Sequence, residues 1–294
     1  MTHIMTFVLA IILSLAAADA SAQADRAAAV LAEARKALGG EEVLRAVTRL
    51  QASGEFRRTM GEMQMEGGLE ILLERPDKLR RNEEIEMPGG ATMARTEVLN
   101  GTDVWDDSGQ RGGMGMGHGV MMMMRGPGGD GDPERLKEMQ RRMRRQELLR
   151  YSVAWLLAAD APVSYAGVAE APDGKADVLD ISPPDGPAVR LFVDQASRLP
   201  LMLSWQGPAP RVVMRRMAPG TSREEAERAA RDTAREEAPP QIVTFEMRLG
   251  DYRRVDGLLL PHEITRAVNG RTNEEWTIKS YKINPSFKSN TFTR

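Results

Sequence analysis

The sequence predicts an α+β fold in which a meander of antiparallel strands carries a small number of helices. Three observations lead there. Between Ile242 and Phe287 the residues alternate with period two, Val243, Phe245, Met247 and Leu249 against Thr244, Glu246 and Arg248, as in a strand with one buried face. Asp256-Gly257 and Asn269-Gly270 then punctuate this block, and Asn-Gly between alternating stretches is a strong short-range hairpin signal. Elsewhere the period switches to that of a helix, most clearly after Asp132-Pro133, where aspartate stands as N-cap and proline occupies the first helical position.

The chain opens on an uncharged, largely apolar run from Ile4 to Ala18, followed by Ala20-Ser21-Ala22. That small-residue pattern fits signal-peptidase cleavage after Ala22, so residues 1–22 read as an export signal and the mature protein as periplasmic or secreted. An uncleaved anchor helix is the alternative, and the short apolar length argues against it. The signal's only formal charge is Asp19, so its removal leaves 40 basic against 41 acidic side chains, a balance that gives nucleic acid no footing. The complete lack of cysteine excludes disulfides, thiolate metal sites and cysteine nucleophiles. Residues 23–294 read as one domain with insertions, because no interior linker divides them.

From Asp25 to Leu38 good helix formers predominate, and Gly39-Gly40 supplies the stop; a second short helix is expected from Glu41 to Val47. The period then becomes two. Leu50, Ala52, Gly54 and Phe56 share one parity, as do Leu69, Ile71 and Leu73 after a turn near Gly61. A further strand spans Leu79 to Met87, and Asn100-Gly101 centres another hairpin. Residues 106–132 are dominated by glycine, methionine and proline and are expected to form a loop, since such a composition builds no core. The helix that follows is expected to run to Ala159, with Leu136, Met139, Met143, Leu149, Val153 and Leu156 as the stripe that packs on the sheet. Short strands return, with Val189, Leu191 and Val193 on one face and Leu199, Leu201, Leu203 and Trp205 on another. Residues 221–238 interrupt them with a charged insertion helix, marked by the capping box Ser222-x-x-Glu225.

Given this order of elements, and the ending DYRRVDGLLLPHEITRAVNG with EEWTIKSYKINPSFKSNTF, the chain resembles the LolA/LolB-like superfamily of periplasmic lipoprotein carriers. The resemblance implies a strongly curved antiparallel sheet, an unclosed β-barrel, with helices covering its concave face. It also implies a non-enzymatic role: holding a lipid or a lipoprotein acyl chain in that concavity, between the inner and outer membrane. The residues expected to line it are Leu69, Ile71, Leu73, Leu201, Leu203, Val243, Phe245 and Met247, with the protein a monomer. A cell-envelope sensor or interaction protein on the same fold is the competing expectation.

Two local features suggest other ligands. Met114, Met116, Met121 and Met122 surround His118, and thioethers with an imidazole favour Cu(I), which makes copper handling a third reading. The same methionines equally suit an adaptable apolar flap, or a low-complexity loop that binds nothing. Arg141, Arg142, Arg144 and Arg145 on the long helix suit transient contact with anionic head groups, or simply a solvated face. Catalysis finds little support. Only His118 and His262 remain after signal removal, and His262, beside Pro261, reads as a surface or rim residue. Glu274 and Glu275 point to opposite faces of a strand and form no acid/base pair.

Overall fold

A computed structural model describes residues 22–61, 63–86, 92–111, 120–123, 133–159, 161–171, 174–184, 186–209, 213–216 and 241–294. The expected signal segment up to Ser21, the methionines 114 and 116 with His118, and the insertion helix 221–238 lie outside them. The helices are α1 (22–38), α2 (Glu41–Ala46) and α3 (Pro133–Leu156). The strands are β1 (Arg49–Met60), β2 (Met63–Glu74), β3 (Lys78–Glu86), β4 (Thr92–Asn100), β5 (Asp103–Arg111), β6 (Val120–Met123), β7 (Val163–Ala171), β8 (Gly174–Ile181), β9 (Val189–Asp194), β10 (Pro200–Pro208), β11 (Val213–Arg216), β12 (Ile242–Val255), β13 (Leu258–Val268) and β14 (Arg271–Ile283).

Twelve of the strands form one antiparallel sheet in the order β5-β4-β3-β2-β1-β14-β13-β12-β10-β9-β8-β7. The first strand pairs with the last, Leu50 opposite Ile283 and Phe56 opposite Trp276, so the two halves of the chain meet at the middle of the sheet. The sheet is strongly curved and unclosed. Its curvature follows from α3, which packs against β3, β4 and β5 and also against β10. In a flat sheet β4 and β10 would stand about 34 Å apart at ~4.8 Å per strand, beyond the reach of one helix about 10–12 Å across.

The hairpins form where the sequence places them. Asp256 and Asn269 both have φ 48°, followed by Gly257 at φ 88° and Gly270 at φ 77°, the left-handed pair that a two-residue turn between twisted strands requires. At the end of α1, Gly39 has φ 140°, and a Cβ there would lie 2.7 Å from the Gly257 carbonyl oxygen. The residue that stops the helix thus also lets it sit directly on the β12–β13 turn.

The core fills the concave side, between the sheet and α1, α2 and the second half of α3. Tyr151 stacks on Trp155, Trp276 tilts against Tyr151, and Tyr281 meets Trp155 edge-on. A smaller cluster on the other face joins Leu72 and Val98 to Phe292, with Trp105 and Phe287 packed against it, so the last residues strap across β2, β4 and β5.

Three expectations need correction. The Gly/Met stretch is not all loop: β5 continues to Arg111, and β6 pairs with β11 in a separate two-stranded sheet, Met122 opposite Met214. Composition speaks to core formation, whereas strand pairing needs only backbone donors and acceptors. The α3 stripe holds only in the second half of the helix. Leu136 and Met143 are exposed, while Leu148, Tyr151 and Trp155 are buried beside Val153 and Leu156. Finally, the β9–β10 register shifts between Pro200 and Met202, so a bulge at Leu201 reverses the parity of β10. Leu201 is 42% exposed while Leu203 is fully buried. Among the described residues, no helix is long and apolar enough to cross a membrane.

Candidate functional site

The concave face changes character along its strands. At one end Leu50, Leu73, Leu79 and Leu99 stand in register across β1, β2, β3 and β4. One step further, Ile71 lies opposite Arg81, Arg81 opposite Glu97, and Glu97 opposite Asp106. Leu69 likewise lies opposite Glu83, and Glu83 opposite Arg95. Across the seam, Arg58 pairs with Glu274, and Glu274 with Arg266. Because side chains alternate strictly along a strand, these charges point to the same side as the leucines, toward the helices.

The middle of α3 supplies the partners. Arg144, Glu147 and Tyr151 recur at helical spacing and face the sheet. Arg58 reaches Glu83 at 2.7 Å and Glu274 at 3.0 Å. Arg81 reaches Glu83 at 2.5 Å, Glu147 at 3.1 Å and Glu274 at 3.2 Å, and its guanidinium lies over the Trp276 ring. Arg144 joins Glu97 at 2.6 Å, Glu147 at 3.1 Å and Asp106 at 3.3 Å. Arg266 stands 3.5 Å from Glu274, and Trp276 Nε1 donates to the same carboxylate at 2.5 Å. Burial alone would raise the carboxyl groups of Glu83, Glu147 and Glu274, but the facing arginines outweigh it and hold all three below their ordinary range. The same contacts hold Arg58 and Arg144 further protonated.

Between this network and β10, β12 and β13 lies a cleft of about 680 Å³. Its apolar wall comes from Phe245, Trp205 and Met143, with Trp205 and Phe245 stacked at 5.7 Å across the β10–β12 pair. Arg150 lies over the Trp205 ring, 4.2 Å from its centroid.

Of the residues expected to line an apolar concavity, Leu69, Ile71, Leu73, Leu203, Val243 and Met247 are buried, five of them in the main core beneath the helices. Phe245 is the member that faces the cleft. Leu201 leaves the set because of the bulge. The arginine quartet also divides. Arg144, itself largely buried, is spent on the carboxylates of Glu97, Glu147 and Asp106, so it does not belong to a membrane-facing patch. Arg141 pairs with Glu138 and donates to the Thr102 carbonyl, whereas Arg142 and Arg145 lie on the exposed side of α3. Of the expected copper ligands, the described residues include Met121 and Met122 only as backbone in β6. Among the described residues, no group of three histidine or acidic side chains is arranged to hold a metal.

His262 is a correction as well. It is 6% exposed, hydrogen-bonded through Nδ1 to the Ile278 carbonyl at 2.7 Å, with its ring edge-on to Tyr281, which makes it a core residue. Sequence reasoning missed the charge network entirely. The signal was present in Leu79-x-Arg81-x-Glu83-x-Ile85, where charged and apolar residues share one parity.

No protein-family model matches this chain, and neither does any curated protein. Solved structures resemble it in outline. A LolA superfamily protein from Nitrosomonas europaea is 12% identical over 91% of this chain and 97% of its own, with a TM-score of 0.49. A putative outer membrane lipoprotein-sorting protein domain from Vibrio parahaemolyticus is 11% identical over 92% and 97%, with a TM-score of 0.44. A DUF1329 family protein from Desulfovibrio piger is 8% identical over 90% and 96%, with a TM-score of 0.43.

Proposed function

We propose that this chain is a non-enzymatic, exported binding protein that takes the apolar part of an amphipathic ligand, such as a lipid acyl chain, into the cleft beside α3. The observation that carries this reading is the division of the concave face. Its leucine-rich end is filled by side chains, whereas the end at Phe245, Trp205 and Met143 leaves about 680 Å³ open. That volume lies within the ~300–1,000 Å³ of small-molecule sites, and an apolar wall beside a few fixed polar groups is their usual composition. The carboxylates there do not suit catalysis. A general acid or base works best with a pKa near the working pH, and Glu83, Glu147 and Glu274 are locked as anions by arginines.

Native mass spectrometry of the full chain incubated with dodecanol, dodecanoate and dodecyl phosphate tests the proposal. A one-to-one adduct, weakened at least tenfold by Phe245→Asp, is expected with at least one of the three. No adduct with any of them refutes it.

A further inference from the structure

The charges of the cleft are unevenly matched. Glu83, Glu97, Glu147 and Glu274 each already face two or more guanidinium groups. Glu246, the remaining acidic residue of the lining, is bound to Arg248 at 2.5 Å. Arg150 is left over. Among the described residues it has no carboxylate within 4 Å; it donates one hydrogen bond, to Gln146 Oε1 at 3.2 Å, and its Nε is buried without a partner. Burial and the nearby positive charge of Arg266, opposed in part by Glu147, draw its guanidinium down to about 10. Among the described residues Arg266 itself has a single carboxylate, at 3.5 Å, which it shares with Arg58 and Arg81. Two guanidinium groups that line one cleft and repel one another are costly unless an anion comes between them.

We infer that Arg150 and Arg266 hold an anionic head group, a carboxylate or a phosphate monoester, at the mouth of the cleft, with the apolar body of the same molecule against Phe245. This rests on the cleft being the binding site proposed above and adds the class of ligand. Guanidinium groups suit both anions because their N–H pairs match the spacing of two oxygens. Contact with the Trp205 ring holds the Arg150 guanidinium in place, so little side-chain freedom is lost on binding. On the other side of the cleft Arg58, Arg81 and Arg144 are each committed to two or three carboxylates, and Arg95 is paired with Glu97.

Titration calorimetry with dodecanol, dodecanoate, dodecyl phosphate and inorganic phosphate separates this inference from the reading beneath it. On the unaltered protein an anionic amphiphile is expected to bind at least tenfold more tightly than dodecanol. Arg150→Gln and Arg266→Gln, checked for folding by circular dichroism, are each expected to cut the ratio of anion affinity to dodecanol affinity by about tenfold. Dodecanol bound as tightly as both anions overturns the head-group site and leaves the apolar reading standing. A preference for anions that survives both substitutions overturns it too. Inorganic phosphate bound as tightly as dodecyl phosphate, and lost in Arg150→Gln, supports the anion site while overturning the amphiphile reading. The comparison of ligands on the unaltered protein decides the question even where a variant fails to fold.

Discussion

Replacing Glu274 with glutamine tests whether the charge network is part of what holds α3 to the sheet. The substitution keeps the volume and an acceptor for Trp276 Nε1, and it removes one negative charge from among Arg58, Arg81 and Arg266. Glu274 is 5% exposed, so the lost interactions are not replaced by water. Removing one partner of a buried ion pair costs about 3–5 kcal/mol. Arg58 and Arg81 keep Glu83, and Arg81 also keeps Glu147, which places the expected loss near the lower limit, about 3 kcal/mol. At roughly 2–4 °C per kcal/mol for a domain of this size, thermal unfolding followed by circular dichroism falls by about 6–12 °C. Glu66→Gln is the control. That carboxylate pairs with Arg57 at 2.9 Å with both side chains more than half exposed, and its loss costs under about 1 kcal/mol. The carboxyl values of Glu83, Glu147 and Glu274 are depressed below 4.5 on folding. Their contribution is therefore fully present above the unfolded value and lost as pH falls through the folded ones. The urea midpoint thus declines below about pH 4.5, and less steeply in Glu274→Gln. A variant within 1 kcal/mol of the unaltered protein, with the same acid limb, refutes the reasoning.

The bulge at Leu201 predicts that Leu201→Thr changes stability by less than about 0.5 kcal/mol, while Leu203→Ala two residues on costs about 2–5 kcal/mol; urea denaturation of the pair in parallel checks this. Close approach of β1 and β14 predicts that Gly54→Ala unfolds the protein or leaves it insoluble, since the added Cβ would stand 2.1 Å from the Thr277 carbonyl oxygen. Gly68→Ala, whose Cβ meets only that of Glu84 at 3.9 Å, is expected to be tolerated.

Strand parity and turn chemistry were legible because each depends on neighbours in sequence. Asn269-Gly270 and Asp256-Gly257 specify their turns through local backbone preference, and the alternation of Val243, Phe245, Met247 and Leu249 survives intact. Leu201 failed for the same reason that the others succeeded. Parity is read by counting, and one extra residue in a ladder shifts the count without altering composition. The charge network was hidden more deeply. Arg81, Glu83, Glu97, Glu147 and Glu274 come from four separate elements, and only the curvature that brings α3 over β3 and β4 buries four of these charged residues and most of Glu147. Arg144 illustrates the limit: among Arg141, Arg142 and Arg145 it carries no mark of its own, and it alone turns inward to three carboxylates.

The placement of the proposed binding site at the charged end follows from cost as well as shape. For a ligand to reach Leu69, Ile71 or Leu203, the second half of α3 would have to leave the sheet and expose Leu148, Val153, Trp155 and Leu156, all at most 5% exposed. At about 1.5–3 kcal/mol for each such side chain, the step costs roughly 6–12 kcal/mol, comparable to the whole stability of an ordinary domain, about 5–15 kcal/mol. An acyl chain entering beside Phe245 requires no such opening. The network of Arg81, Arg144, Glu147 and Glu274 fixes the middle of α3 at its height above the sheet, so the cleft persists without a ligand to prop it open. Rigid walls of this kind lower the ordering cost of binding. They also confine it: the apolar body has one wall to lie on, and the polar end of the molecule must remain within reach of Arg150 and Arg266.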